Sequence, residues 1–234
     1  MNRILPLALF LSPLVAGTAA CAQEALLPGE CTPYLTVQRR DCVVEHHYTC
    51  PSVPGHRWRI DFDDEPGALF VSEIDAEAGW VSSQEFPPEG AVTRLLPGSP
   101  DAPSISTLLD TGEDHYTFSE IRDGRIVRVE GHDRLTGERV EIDGEPLLRT
   151  EYAYRMYSAE GLLEDDVAGH EFVSARHRRF FSGLRTWHAP EGDFTRDSTP
   201  VEFAYPGEPG FLAQNPIHGC GAMISALPRM EGHA

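Results

Sequence analysis

Apolar and polar residues alternate with a period of two along much of this chain. In residues 56–62, Trp58, Ile60 and Phe62 fall on one face and Arg57, Arg59 and Asp61 on the other, which predicts a strand with one covered face. Leu69 and Val71 begin another such run, as do residues 79–82. Tyr116/Phe118, Val127/Val129, Val140/Ile142, Leu148/Tyr152/Tyr154/Met156, Phe172 and Val201/Phe203/Tyr205 mark more. Turn formers divide the runs: Pro87-Pro88, Asp123-Gly124, Thr136-Gly137, Asp143-Gly144, Glu160-Gly161 and Pro206-Gly207. Asp-Gly suits the positive φ angles of a two-residue hairpin turn, so Asp143-Gly144 predicts a hairpin. One stretch reads as helix, residues 104–111, with Ser104 as its cap and Gly112 as its stop. Roughly ten to twelve strands at this spacing predict an all-β antiparallel barrel or sandwich with one short helix. Trp58, Trp80, Tyr152, Tyr154, Phe172 and Phe203 are the expected aromatic core. In a closed sheet some of them could line an apolar cavity.

The first 22 residues break this pattern. Arg3 precedes a mostly apolar run from Ile4 to Val15, and small residues end in Ala20-Cys21-Ala22, so 1–22 reads as a secretory signal peptide. The run is too short to span a bilayer, and no later segment reads as a transmembrane span. A second processing route places a lipid anchor at Cys21, because Thr18-Ala19-Ala20-Cys21 resembles a lipobox. The remainder, 23–234, reads as a single all-β domain, with 212–234 an irregular tail. The expected location is periplasmic or secreted.

Export changes the reading of the cysteines. Without Cys21, an even set remains: Cys31, Cys42, Cys50 and Cys220. Such a set outside the cytoplasm implies disulfides, in three possible connectivities. On one straight strand Cys42 and Cys50 would lie about 26 Å apart, beyond disulfide reach. A hairpin turning at Arg40-Asp41 sets Cys31 opposite Cys50 and leaves Cys42 to tether the tail through Cys220. No Cys-x-x-Cys occurs, which removes thioredoxin-type redox chemistry, c-type haem attachment and zinc ribbons.

Charge narrows the chemistry. The chain of 234 residues carries 37 acidic and 19 basic residues for a net charge of −18, and every basic residue is Arg. Loss of Arg3 with the leader takes the charge to −19. Without Lys there is no P-loop lysine and no Schiff-base lysine. The acidity argues against nucleic acid and anionic membranes as partners. It fits a salty exterior, where screening relieves self-repulsion.

Candidate chemistry is sparse. His46, His47 and His56 are the candidate metal ligands. Adjacent strand residues point to opposite faces, so His46 and His47 cannot serve one site from a regular strand. The simpler reading packs one inside, with His46 sharing parity with Val44 and Tyr48. No His-x-His or His-Glu-x-x-His motif supports a metal, and no other cofactor is implied. The acidic run 61–67 resembles a calcium loop, but Pro66 and Ser72 occupy the positions that require Gly and Glu; it reads as a solvated turn. Arg176, Arg178 and Arg179 are the candidate anion-binding group, against the simpler reading that they guard Phe180-Phe181 and pair with local acids. No Gly-x-Ser-x-Gly elbow occurs, no catalytic residue can be named, and the balance leans away from an enzyme. The expected function is an exported, non-catalytic binding or accessory protein, its partner a small apolar ligand or a protein. The alternatives are a secreted hydrolase using carboxylates or a metal, and an envelope structural or inhibitory interaction protein.

Overall fold

The computed structural model describes residues 27–86, 90–99 and 101–221. The leader with Cys21, the Pro87-Pro88 turn and residues 222–234 lie outside the described residues. The chain forms β1 (Thr32–Arg39), β2 (Val43–Thr49), β3 (Arg57–Phe62), β4 (Phe70–Ile74), β5 (Trp80–Glu85), β6 (Val92–Leu95), α1 (Ile105–Thr111), β7 (Glu113–Arg122), β8 (Arg125–Ile142), β9 (Glu145–Ser158), β10 (Leu163–Ser174), β11 (Arg179–Phe181), β12 (Leu184–Trp187), β13 (Phe194–Asp197) and β14 (Pro200–Ala204). The expected all-β class holds, and all fourteen strands join one antiparallel sheet.

From β1 to β10 each strand pairs with the next. Two short strands then share one edge of β10: β11 against Phe172–Ser174, β12 against Val167–Gly169. The ladder path ends at β13 on one side and at β14, paired with β1, on the other. Yet only Ser198 and Thr199 separate β13 from β14 in the chain. The sheet is therefore rolled until its two ends meet, with no ladder closing it. Ser198 N donates to Gly183 O at 2.9 Å, and Arg40 N to Thr199 O at 3.1 Å, pinning the junction to both sides.

The extra strands beyond ten to twelve are short. β6, β11, β12 and β13 have three or four residues each, too few for a period to show. Thr136-Gly137 does not end a strand: β8 runs on for 18 residues, with its register against β9 shifting between Leu135 and Arg139. A bulge absorbs the extra residues while both halves stay paired, and Gly137 supplies the positive φ of 83°. Asp143-Gly144 is the predicted hairpin, with φ angles of 50° and 79°. Ser104 caps α1 by accepting from Thr107 N, and Gly112 ends it in the left-handed region. Trp80 is 51 % exposed rather than buried; it opens β5 beside the register shift between Glu73 and Ile74.

The alternation on β2 and β3 has an unexpected consequence: both faces are covered. Trp58, Ile60 and Tyr48 pack in one cluster beneath Leu27, Val53 and Val71. On the same face of β1 and β2, residues 212–217 lie across the sheet. Leu212 N donates to Thr36 Oγ1 and Ile217 N to Gln38 Oε1. The Cys42–Cys220 disulfide holds this segment down, and Cys31–Cys50 bridges the β1–β2 hairpin. Leu35 and Val37 of β1 pack on Phe172, Phe181 and Phe203, while Ile105 and Leu108 of α1 pack on Ile74 and Val173.

Candidate functional site: a charged inner face

The polar face of β3 points into the rolled sheet, not to solvent. In register, Val37 lies opposite Glu45, and Glu45 opposite Asp61. Arg39, Asp41, Glu45 and Asp61 are each at most 7 % exposed. Buried charges are tolerated when paired and hydrogen-bonded; all four are paired, and Asp61 Oδ1 is left without a hydrogen bond among the described residues. Arg39 donates to Glu45 Oε1 at 2.6 Å and to both oxygens of Asp41 at 2.6 and 2.9 Å. Arg59 Nε lies 2.9 Å from Asp61 Oδ1 and Arg59 Nη1 3.5 Å from Glu45 Oε1. Asp41 also accepts from Arg196 Nε and Ser198 Oγ, both at 2.8 Å. That carboxylate thus joins the β1–β2 turn to the β13–β14 junction where the rolled sheet meets itself.

Glu45 and Asp61 compete for the same two guanidiniums, and they divide the roles. Burial alone would raise the Glu45 carboxyl, but Arg59 and Arg39 hold it well below the usual carboxylate range. For Asp61 burial outweighs Arg59, and its pKa is pushed up to about 6. His47, fully buried, sits 3.1 Å from Glu45 Oε2. Burial first, then the nearby Arg179, depress it to about 3, so the ring is neutral.

A second inner-face group spans β7 to β12. Across these strands Tyr116 pairs with Gly131, Gly131 with Tyr154, Asp133 with Tyr152, Tyr152 with Gly169, and Gly169 with Arg185. The glycines make room for rings. A Cβ on Gly131 would lie 2.6 Å from the Tyr116 ring, and one on Gly169 2.0 Å from Leu184 O and 3.1 Å from the Tyr152 ring. Arg185 Nε donates to the Tyr152 hydroxyl at 3.0 Å, and its guanidinium lies 3.8 Å from Glu171. Asp133 is 7 % exposed, and among the described residues its carboxyl has no hydrogen-bond or ion-pair partner. Burial, then Glu171 and Asp114, push it up to about 8. Burial also raises Glu171, and burial with Asp133 raises Tyr116.

The residues singled out from the sequence fall in different places. His46 faces the covering segment, its Nε2 3.0 Å from Ala213 O, while His47 faces the interior. His56 pairs with Glu73 at 2.7 Å, away from both. Among the described residues no group of three or more His, Cys, Asp or Glu could hold a metal ion. Arg176 reaches Glu145 and the Tyr205 hydroxyl, Arg178 reaches Glu77, Ser106 and Ala76 O, and buried Arg179 reaches the Tyr34 hydroxyl. Each cation of that island thus has an internal partner. In the acidic run, Asp63 to Glu65 form an exposed turn closed by Glu65 N on Asp63 Oδ1, whereas Asp61 belongs to the interior. Two surface hollows, of about 330 and 360 Å³, lie beside Cys50 and His56 and over Ala168 and His170.

Glu45, Asp133, Glu171 and Arg185 did not stand out in the sequence. Parity places Glu45 on the polar face of β2, and a polar face ordinarily signals solvent, whereas Asp133 shares the face of Val127 and Val129, an acid in an apolar series. The available signal was Gly131 and Gly169, small residues amid long alternating runs, which mark close approach of other groups.

These features define a class: a disulfide-bonded, all-β protein with a rolled antiparallel sheet and an ionised inner face. Comparison of the chain with protein-family models, with curated proteins and with solved structures found no match.

Proposed function

We propose that this chain is an exported, non-catalytic binding or accessory protein, acting in the periplasm or outside the cell. Two disulfides support an oxidising compartment, and among the described residues no helix is long and apolar enough to cross a membrane. The observation that carries the binding reading is the inner face itself. Around β1 to β3 its charges pair with one another, although Arg59 Nε and Asp61 Oδ1 meet without forming a hydrogen bond, whereas the Asp133 carboxyl has neither a hydrogen bond nor an ion pair among the described residues. A rigid scaffold with an uncompensated carboxyl on its inner face suits holding a molecule. Native mass spectrometry of protein purified without denaturation from the exporting cell tests this. A non-covalent adduct that is lost on unfolding is expected; a bare polypeptide mass overturns the reading.

The raised Asp133 carboxyl beside Glu171 also favours a second reading, hydrolysis by a carboxylate pair. Turnover of chromogenic glycosides or esters by the wild type, lost in Asp133→Asn, would replace binding with catalysis.

A further inference from the structure

We propose that the Asp133 group is a cage for an organic ammonium ion, and this rests on the binding reading above. Three tyrosines of the two flanking strands share the inner face with the Asp133 carboxyl, and Asp114 lies directly opposite it on β7. Tyr152 lies directly opposite Asp133 on β9, and Tyr116 and Tyr154 flank Gly131, two residues away on β8. Tyr152 and Tyr154 stack with ring centroids 6.4 Å apart and planes at 15°. Tyrosine faces carry negative electrostatic potential and attract weakly hydrated cations most when solvent is excluded.

The charge balance points the same way. Glu171 has Arg185, which also lies over the Tyr152 ring. Asp114 accepts from Ser104 N at 2.7 Å on the β7 side. Glu45 and Arg59, which act on Glu171 from β2 and β3, already engage each other. Glu120, the other buried inner-face carboxyl without a hydrogen bond or ion pair among the described residues, lies four positions along β7 from Tyr116 and has Arg122 acting on it, whereas no cation acts on Asp133; a monovalent cation would supply that counter-charge. The donor set disfavours a metal: among the described residues no three His, Cys, Asp or Glu could hold one. The Arg185 and Glu171 side chains, 30 % and 18 % exposed, leave one side of the cage in contact with solvent.

Calorimetric titration of the mature protein with tetramethylammonium chloride, at constant ionic strength and at about pH 9 and pH 6, tests the cage. One saturable site is expected, at least tenfold tighter at pH 9, where Asp133 is ionised. Asp133→Asn should weaken binding at least tenfold and abolish the pH dependence, and Tyr154→Leu should weaken it severalfold. Equal affinity in Asp133→Asn, or no saturable heat at either pH, overturns the cage. Should Asp133→Asn not fold, the wild-type pH comparison decides alone. A neutral adduct in the native mass spectrum, with no tetramethylammonium binding, would remove the cage and leave the binding reading standing.

Discussion

Asp133 and Glu45 are both carboxylates on the inner face, and their surroundings drive them to opposite states. The folded protein keeps a proton on Asp133 that the unfolded chain releases near 3.8, the ordinary value. That contribution to stability is full below about pH 4 and is lost as pH rises through about 8. Asp133→Asn keeps the shape without the charge. Thermal unfolding of this variant is expected to decline less steeply than the wild type between pH 5 and 9, Asp61 and Glu120 still contributing up to about 6 and 7, and to gain about 1–3 kcal/mol at the upper end. Glu45 has the reverse sense, because its guanidiniums hold it ionised. Glu45→Gln leaves Arg39 and Arg59 short of a counter-charge and is expected to cost about 3–5 kcal/mol in urea unfolding at neutral pH. For His47, whose folded pKa of about 3 lies below the ordinary 6.5, stability is full above 6.5 and is lost as pH falls toward 3. Its imidazole resonances should not titrate between about pH 8 and 5. None of these states could be read from residue identity, since each depends on which charge lies across the sheet.

At the scale of the element, the strand pattern was legible wherever alternation had room to repeat. The run at 56–62 became β3, Asp143-Gly144 became a hairpin, and Ser104 and Gly112 bracket α1. The side of the sheet facing the interior was not legible, because β2 and β3 are covered on both faces and the polar side is the inner one. Short strands escaped for want of length, and the bulge at Thr136-Gly137 mimicked a turn because both need glycine. Gly131 has little freedom, because the place of a side chain is taken by the Tyr116 ring and Ala153 O, at 2.6 and 2.7 Å. Gly131→Ala should therefore shift Tyr116 and cost about 1–3 kcal/mol, visible as altered near-ultraviolet dichroism together with a lower melting temperature.

Over the whole molecule, the rolled sheet depends on contacts between residues far apart in sequence. Cys42–Cys220 spans a separation of 178 residues and holds down the segment that covers His46, Thr36 and Gln38. Cys220→Ser is expected to cost about 2–4 kcal/mol and to expose the β1–β2 face to hydrogen exchange before the rest of the sheet opens. The cysteine spacing and one extended segment were enough to suggest this pairing. The inner charge network was out of reach, because it joins β1–β3 to residues beyond 170 that no local pattern connects.

On the reading above, Asp133 is a buried carboxyl poised to receive a cation. Carbon-13 NMR of the labelled Asp133 side chain tests it most directly. A midpoint near 8 that falls when tetramethylammonium is added is the predicted result, because binding favours the ionised form. A midpoint near 4, or one that tetramethylammonium leaves unmoved, would contradict it.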